Sequence, residues 1–159
     1  MICDIRIDDR LIHGQVCGFW IPHHNLQRIV IVDNEIVNDE QRKTVLKFGC
    51  PDKCKLSIFS VDSAVDKFNR KIDEGIRVMI LCNSPLPLLE MYEKGYKFNE
   101  ITVGNMATKP DSKQIRKTLF VTDKEKEAFE KLSDNGVKII SQMIPTEARE
   151  DIIEDIRKA

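Results

Sequence analysis

The residues best suited to chemistry lie close to the N-terminus, in Asp8-Asp9-Arg10-Leu11-Ile12-His13-Gly14-Gln15-Val16. This stretch holds a candidate nucleophile, a guanidinium and a glycine, at a point where strand-like alternation gives way to a helical pattern. Neutral imidazole is abundant near pH 7, so a ring nitrogen of His13 can attack phosphorus in line. Phosphoryl transfer then rests on positioning and on stabilising charge at the equatorial oxygens. Arg10 offers planar paired donors to those oxygens, and a helix N-terminus beside Gly14 would offer N–H groups and a favourable dipole. The same residues equally fit a buried His13 bonded to backbone, with Arg10 ion-paired to Asp8 or Asp9. His-Gly-Gln is not a mechanistic motif by itself, and local chemistry leaves both readings open.

The elements that would position this turn follow from periodicity. Cys3–Ile7 alternates apolar and charged residues and predicts a strand, and Gln27–Asp33 carries the doubly buried run Ile29-Val30-Ile31-Val32. Leu56–Phe59, Arg77–Cys82, Glu100–Val103, Thr118–Val121 and Val137–Ser141 are further strand candidates. Helical patterns separate them. Asn38 with Gln41 resembles a capping box, with Val37, Gln41, Val45 and Phe48 on one face. Val61, Val65, Phe68 and Ile72 form a second stripe, and Ser84-Pro85 opens a helix that Gly95 stops. Thr122 and Glu125 make a capping box before Ala128, Phe129 and Leu132, and Thr146 is expected to cap a last helix carrying Ala148, Ile152, Ile153 and Ile156. Repeated β-then-α units imply an α/β fold, a single open, mainly parallel β-sheet with helices on both faces. In such sheets ligands bind beyond the carboxyl ends of the strands, where the His13 turn falls. Periodicity leaves the direction of the last strands open.

Composition narrows the classes. With 159 residues, 42% apolar, and no linker or repeat, the chain reads as one domain over 1–159. A formal net charge of -1 provides no general basic field, so no nucleic-acid partner is expected. No run approaches the about 18 apolar residues of a membrane span, and Met1-Ile2-Cys3-Asp4 does not begin a leader, so a cytoplasmic location is expected. Cys3, Cys17, Cys50, Cys54 and Cys82 are odd in number and follow no framework spacing. Cys50 and Cys54 lack a second ligand pair, so neither a metal nor a disulfide is expected. Neither G-x-G-x-x-G nor G-x-x-x-x-G-K-[ST] follows the first strand, and no cofactor is expected.

The segment Arg6 to Val16, followed by Trp20, resembles the signature of the enzyme IIB component of the mannose/fructose/sorbose-type sugar phosphotransferase system. Arg28 to Asp33, Ser60-Val61, Val103-Gly104-Asn105-Met106, Gly136-Val137 to Gln142, and Pro145 fall in similar order. The resemblance implies a phosphotransferase whose His13 accepts phosphate, through Nδ1, from a phosphohistidine on a IIA component. His13 then passes it to a sugar held by the membrane components IIC and IID, with which the chain would associate peripherally. Mannose, fructose, sorbose and amino sugars are all compatible. By the same resemblance Arg10 stabilises the phosphate, while Asp9 and Gln15 are supporting candidates, Asp9 orienting Arg10 or the ring. The sequence departs from the pattern at Lys109 to Lys113 and at Cys50–Cys54.

Other readings were weighed on the same residues. Asp8-Asp9 and Asp33 suggest a receiver-like aspartyl phosphate site, but the strand ending at Cys82 leads into Asn83-Ser84 and no suitable Lys follows Val103. His23 and His24 read as a solvent-facing loop, Trp20 as packing, and Gly104-Asn105-Met106 as a structural turn or a crevice wall. The Lys/Glu-rich Asp123 to Lys131 reads as a solvated helix face.

Overall fold

A computed structural model describes all 159 residues. Its core is a seven-stranded sheet of β1 (Ile2–Asp8), β2 (Arg28–Val32), β3 (Lys55–Phe59), β4 (Val78–Cys82), β5 (Glu100–Asn105), β8 (Lys138–Ser141) and β9 (Glu150–Asp151), in the order β3-β2-β4-β1-β5-β8-β9. Every pairing is parallel except that of β9, which runs antiparallel on β8. The expected open, mainly parallel sheet is what the chain forms. β1 lies in the interior between β4 and β5, so the turn that follows it opens at the middle of the sheet's carboxyl edge.

Strand alternation divides the core between two faces. Ile5, Ile7, Val30, Val32, Val78, Ile80 and Cys82 point to one face. They pack there with α3 (Val61–Asn69), α4 (Pro85–Glu93), α5 (Asp123–Asp134) and α6 (Ile153–Lys158). Ile29, Ile31, Met79 and Leu81 point to the other, against Leu11, Trp20, Ile21 and Leu46. Leu46 comes from α2 (Glu40–Gly49), while Trp20 and Ile21 sit where a π-helical turn, Val16–Trp20, runs into α1 (Ile21–His24). On this second face β1 contributes a polar column, Asp4, Arg6 and Asp8, in place of hydrophobes.

The caps of α4 and α5 match the sequence, and α3 gains one at Ser60 that was not read from it. Ser60, Ser84 and Thr122 each accept a backbone N–H, and Thr122 with Glu125 forms a reciprocal capping box. Elsewhere the structure corrects the reading. Asp39, not Asn38, caps α2, because Ile36–Asn38 forms a separate 3-10 turn and Asp39 is extended. Val37 is therefore out of phase with the helix, and Val45 and Phe48 face solvent, Phe48 being 92% exposed. Ile72 lies beyond the end of α3 and is partly exposed. The strand read at Thr118–Val121 is β7 (Leu119–Val121), which pairs antiparallel with an unpredicted β6 (Lys113–Arg116) outside the main sheet. Thr146 caps nothing: Ala148 is exposed, β9 intervenes, and α6 begins at Ile153 with Ile152 and Ile156 buried. Pairing of Glu150 and Asp151 with β8 holds this segment extended.

His23 is exposed as expected, but His24 is not a solvent-facing side chain. Its ring stacks on Trp20 with centroids 5.6 Å apart, and its Nε2 lies 3.8 Å from Asp4 Oδ2. Burial, aided by the charges of His23 and Arg77, pushes the His24 pKa down to about 4. Burial also raises that of Asp4, against the pull of Arg6. A histidine that stays neutral when folded stabilises the fold above its unfolded pKa, near 6.5, and that contribution fades as pH falls. Between pH 7 and pH 5, His24→Gln is expected to lose about 1–2 kcal/mol less stability than the unaltered chain, as read by urea denaturation at each pH.

Candidate functional site

The site is built on the last residue of β1. Strand parity carries Asp8 to the polar face, where it is 1% exposed, and a carboxylate so buried must be paired. Three donors from Arg10 meet it: the backbone N–H and Nε donate to Oδ1 at 3.0 and 2.9 Å, and Nη2 donates to Oδ2 at 2.8 Å. The turn closes through the Leu11 N–H, which donates to the Asp8 carbonyl at 3.0 Å. Leu11 takes a left-handed backbone, φ 57°, which costs a non-glycine residue about 1 kcal/mol or more. Its side chain is buried in the second-face core, and that anchorage holds the conformation.

His13 follows at the entrance to the helical segment. Its Nε2 lies 3.1 Å from Asp8 Oδ2, an ion-pair approach short of a straight hydrogen bond. Its Nδ1 accepts the Gln15 N–H at 3.3 Å. A neutral ring that accepts at Nδ1 carries its proton on Nε2, so the Nδ1 lone pair is the available nucleophile. Burial lowers the His13 pKa below 6.5; the Asp8 carboxylate opposes the shift and the Arg10 cation adds to it. The ring is thereby kept neutral near pH 7. Cys17 N–H donates to the His13 carbonyl at 3.0 Å and starts the helix, which widens to π form over Val16–Trp20. Such bulges often mark functional segments, and this one was not read from the sequence.

The four residues singled out from the sequence converge unequally. Arg10 and His13 meet through Asp8. Gln15 joins them twice, its side-chain Oε1 accepting Arg10 Nη2 at 2.9 Å and its N–H meeting the His13 ring. Asp9 does not orient Arg10 or the ring. Its carboxylate turns away and accepts Asn105 Nδ2 at 2.8 Å and the Ala107 N–H at 2.6 Å, pinning the end of β5 to the His13 turn. Gly104-Asn105 is therefore a crevice wall more than a simple turn. Asp33, weighed as an aspartyl phosphate acceptor, is consumed by the N–H groups of Glu35 and Ile36 and by Asn83 Nδ2.

Sequence reasoning missed two members of this assembly. Asp8 entered as an alternative salt-bridge partner, in the receiver-like reading and within the motif, and Arg6 only as part of the motif. Their i, i+2, i+4 spacing with Asp4 on one strand was the available signal, since charged residues at one parity of an interior strand must be buried together. Arg6 is wholly buried, with Nη2 donating to the carbonyls of Gln142 at 2.6 Å and Met143 at 3.0 Å. Its guanidinium carbon lies 4.1 Å from the centre of the Trp20 ring, whose Nε1 also donates to Met143 at 3.0 Å. Trp20 is packing, as read, but packing around a charge.

Comparison with known proteins then places the chain. The sequence model described as "PTS system sorbose subfamily IIB component" matches residues 2–159. The chain belongs to this family. It is 37% identical over 152 residues to the fructose-specific EIIB component of Bacillus subtilis (strain 168), with 96% of this chain and 93% of the relative covered. It is 33% identical to the mannose-specific EIIAB component of Escherichia coli (strain K12), covering 96% of this chain and 47% of that protein. The crystal structure of the IIBSor domain of the sorbose permease from Klebsiella pneumoniae superposes with a TM-score of 0.92 at 31% identity, over 100% of this chain and 98% of that one. The chain is thus a IIB component of a sugar phosphotransferase system, a transferase of sugar transport.

Within the IIB site, Gly104 is the point of closest approach. A Cβ there would lie 2.6 Å from Arg6 Nη2 and 2.8 Å from Asp8 Oδ2, closer than either buried side chain tolerates. Gly104→Ala is expected to destabilise the fold by about 1–3 kcal/mol, seen in urea denaturation, and to shift the NMR resonances of the His13 ring.

Proposed function

We propose that this IIB component is the phosphoryl carrier of its system, taking phosphate onto His13 from the phosphohistidine of a IIA protein or domain. It then hands the phosphate to a sugar bound by the IIC and IID membrane components, which it meets peripherally. The observation that carries this reading is the sharing of one buried carboxylate, Asp8, between the Nε2 edge of His13 and the guanidinium of Arg10. No helix of the chain is long and apolar enough to cross a membrane, so sugar passage falls to the partners. The specificities of relatives include fructose, sorbose, mannose and N-acetylgalactosamine, and sugar choice lies with the membrane components.

In the reading proposed, the Nδ1 lone pair attacks the phosphorus of the donor phosphohistidine. The new N–P bond forms as the donor's N–P bond breaks, and the donor ring keeps that electron pair. The proton on Nε2 stays in place, and the positive charge that grows on the ring during attack is met by Asp8. Arg10 Nε and Nη2 are engaged by Asp8 and Gln15, which leaves Nη1 to reach the equatorial oxygens. The Gln15 N–H, freed from Nδ1 as that atom bonds to phosphorus, is a second donor to the same group. The activity is that of a protein-Nπ-phosphohistidine–sugar phosphotransferase. It needs no cofactor or metal, because the chemistry is positioning and charge stabilisation.

Two variants test it with labelled phospho-IIA. His13→Ala is expected to fold, by circular dichroism, and to take up no label, whereas the unaltered chain holds a label that survives alkali and is lost in acid. Arg10→Ala is expected to take up label about 10²-fold more slowly, and a normal rate in stopped-flow or quench measurements would remove it from the site.

A further inference from the structure

Two arginines flank Asp8, and they differ in freedom. Arg10 is held only by Asp8 and by Gln15, and its side chain is 36% exposed. Arg6 is fully buried and held through its two terminal nitrogens, Nη2 to the Gln142 and Met143 carbonyls and Nη1 to Thr102 Oγ1 at 3.4 Å, with the Trp20 ring against its guanidinium and its Nε without a partner. Thr102 Oγ1 in turn donates to Asp4 Oδ1 at 2.8 Å, so the base of the column is tied to β5. Arg6 and Asp8 make no direct ion pair, but both border Gly104: a Cβ there would lie 2.6 Å from Arg6 Nη2 and 2.8 Å from Asp8 Oδ2, so the two side chains face the same small space. Once the Arg10 guanidinium also serves a phosphoryl group, a carboxylate that is 1% exposed is left with less of that charge, keeping in full only the Arg10 backbone N–H and the Nε2 edge of His13. An uncompensated buried charge is among the most costly states a protein can hold.

We propose that Arg6 is a positioning residue for phosphoryl transfer, the fixed countercharge that keeps the Asp8 carboxylate in place while Arg10 shares its guanidinium between Asp8 and the phosphoryl group. Arg6 touches neither the reacting nitrogen nor the phosphate; it acts through Asp8, and Asp8 through the Nε2 edge of His13. Its attachment to Gln142 and Met143 makes the segment after β8 part of the same support. Arg6 and Arg10 thus divide one task, a static charge below the carboxylate and a movable one above it. The inference rests on the carrier reading of His13.

The test compares Arg6→Gln and Arg6→Lys in the full chain, with two readouts: the rate of phosphate uptake from phospho-IIA, and the tautomer of His13 from its ¹⁵N shifts. Arg6→Gln is expected to slow uptake by at least about tenfold and to reduce the Nε2–H tautomer, with Arg6→Lys recovering part of both because it restores the charge. Unchanged uptake in both variants, or equal slowing in both with an unaltered tautomer, overturns the inference. Should Arg6→Gln not fold, Arg6→Lys decides alone in a cycle with Arg10→Ala. The tautomer change caused by Arg6→Lys is expected to be larger where Arg10 is absent, and equal changes in the two backgrounds overturn the inference. Failure of the unaltered chain to accept phosphate would instead overturn the carrier reading, and is distinct from either result.

Discussion

A carboxylate buried at the end of an interior strand constrains everything around it. Asp8 cannot be solvated where strand parity puts it, so the chain surrounds it with positive groups: the backbone and guanidinium of Arg10 donate to it, the Nε2 edge of His13 approaches to 3.1 Å, and Arg6 borders it beside Gly104. Each of those neighbours is itself placed by something else. Arg10 is set by the turn that Leu11 anchors in the core, His13 by the start of the helical segment, and Arg6 by the Gln142 and Met143 carbonyls. The geometry that sets the Nε2 edge of His13 against a carboxylate and leaves Nδ1 as the acceptor is a consequence of satisfying this one charge.

The same requirement explains why three strand ends and their loops meet here. Asp9 fastens the end of β5 to the turn, Arg6 and Trp20 fasten the segment after β8, and β4 backs β1 from the other side. Phosphoryl exchange between proteins asks for a nucleophile near the surface but rigidly aimed, since positioning supplies most of the rate. A half-covered ring on a turn, braced by buried groups below, meets both demands. The exposed ion pairs elsewhere, such as those of Lys131 with Glu127 or Arg70 with Asp66, contribute little to stability by comparison. The two apolar layers on either side of the sheet hold the frame.

How much of this was legible in the sequence depended on how local each signal was. The strands around Ile29 to Val32 and Arg77 to Cys82 stood out as continuous apolar runs, and the caps at Ser84 and Thr122 are formed by residues within four positions of their partners. The phase of α2 was misread because a 3-10 turn and one extended residue intervene after Val37, a change of period no apolar spacing reports. β9 and the hairpin of β6 with β7 carry weak patterns of their own and exist through pairing with chain elsewhere, as does the late start of α6. His24 looked like loop because its ring is covered by a partner on the preceding turn and by Asp4, twenty residues away in the chain.

The sequence by itself determined the alternation of strands and helices, the carboxyl-edge position of the His13 turn, and, through the resemblance of Arg6 to Val16, the family. It named His13, Arg10 and Gln15 as a group because they lie within one short stretch. Tertiary structure decided what that group does with its neighbours. It made Asp8 the shared partner, turned Asp9 aside to hold Asn105, and brought Gly104 to within reach of Arg6 and Asp8 and Met143 to within reach of Arg6, 137 positions earlier. The physical reason is that a buried charge takes its partners from whatever the fold brings beside it, and linear spacing carries no record of burial.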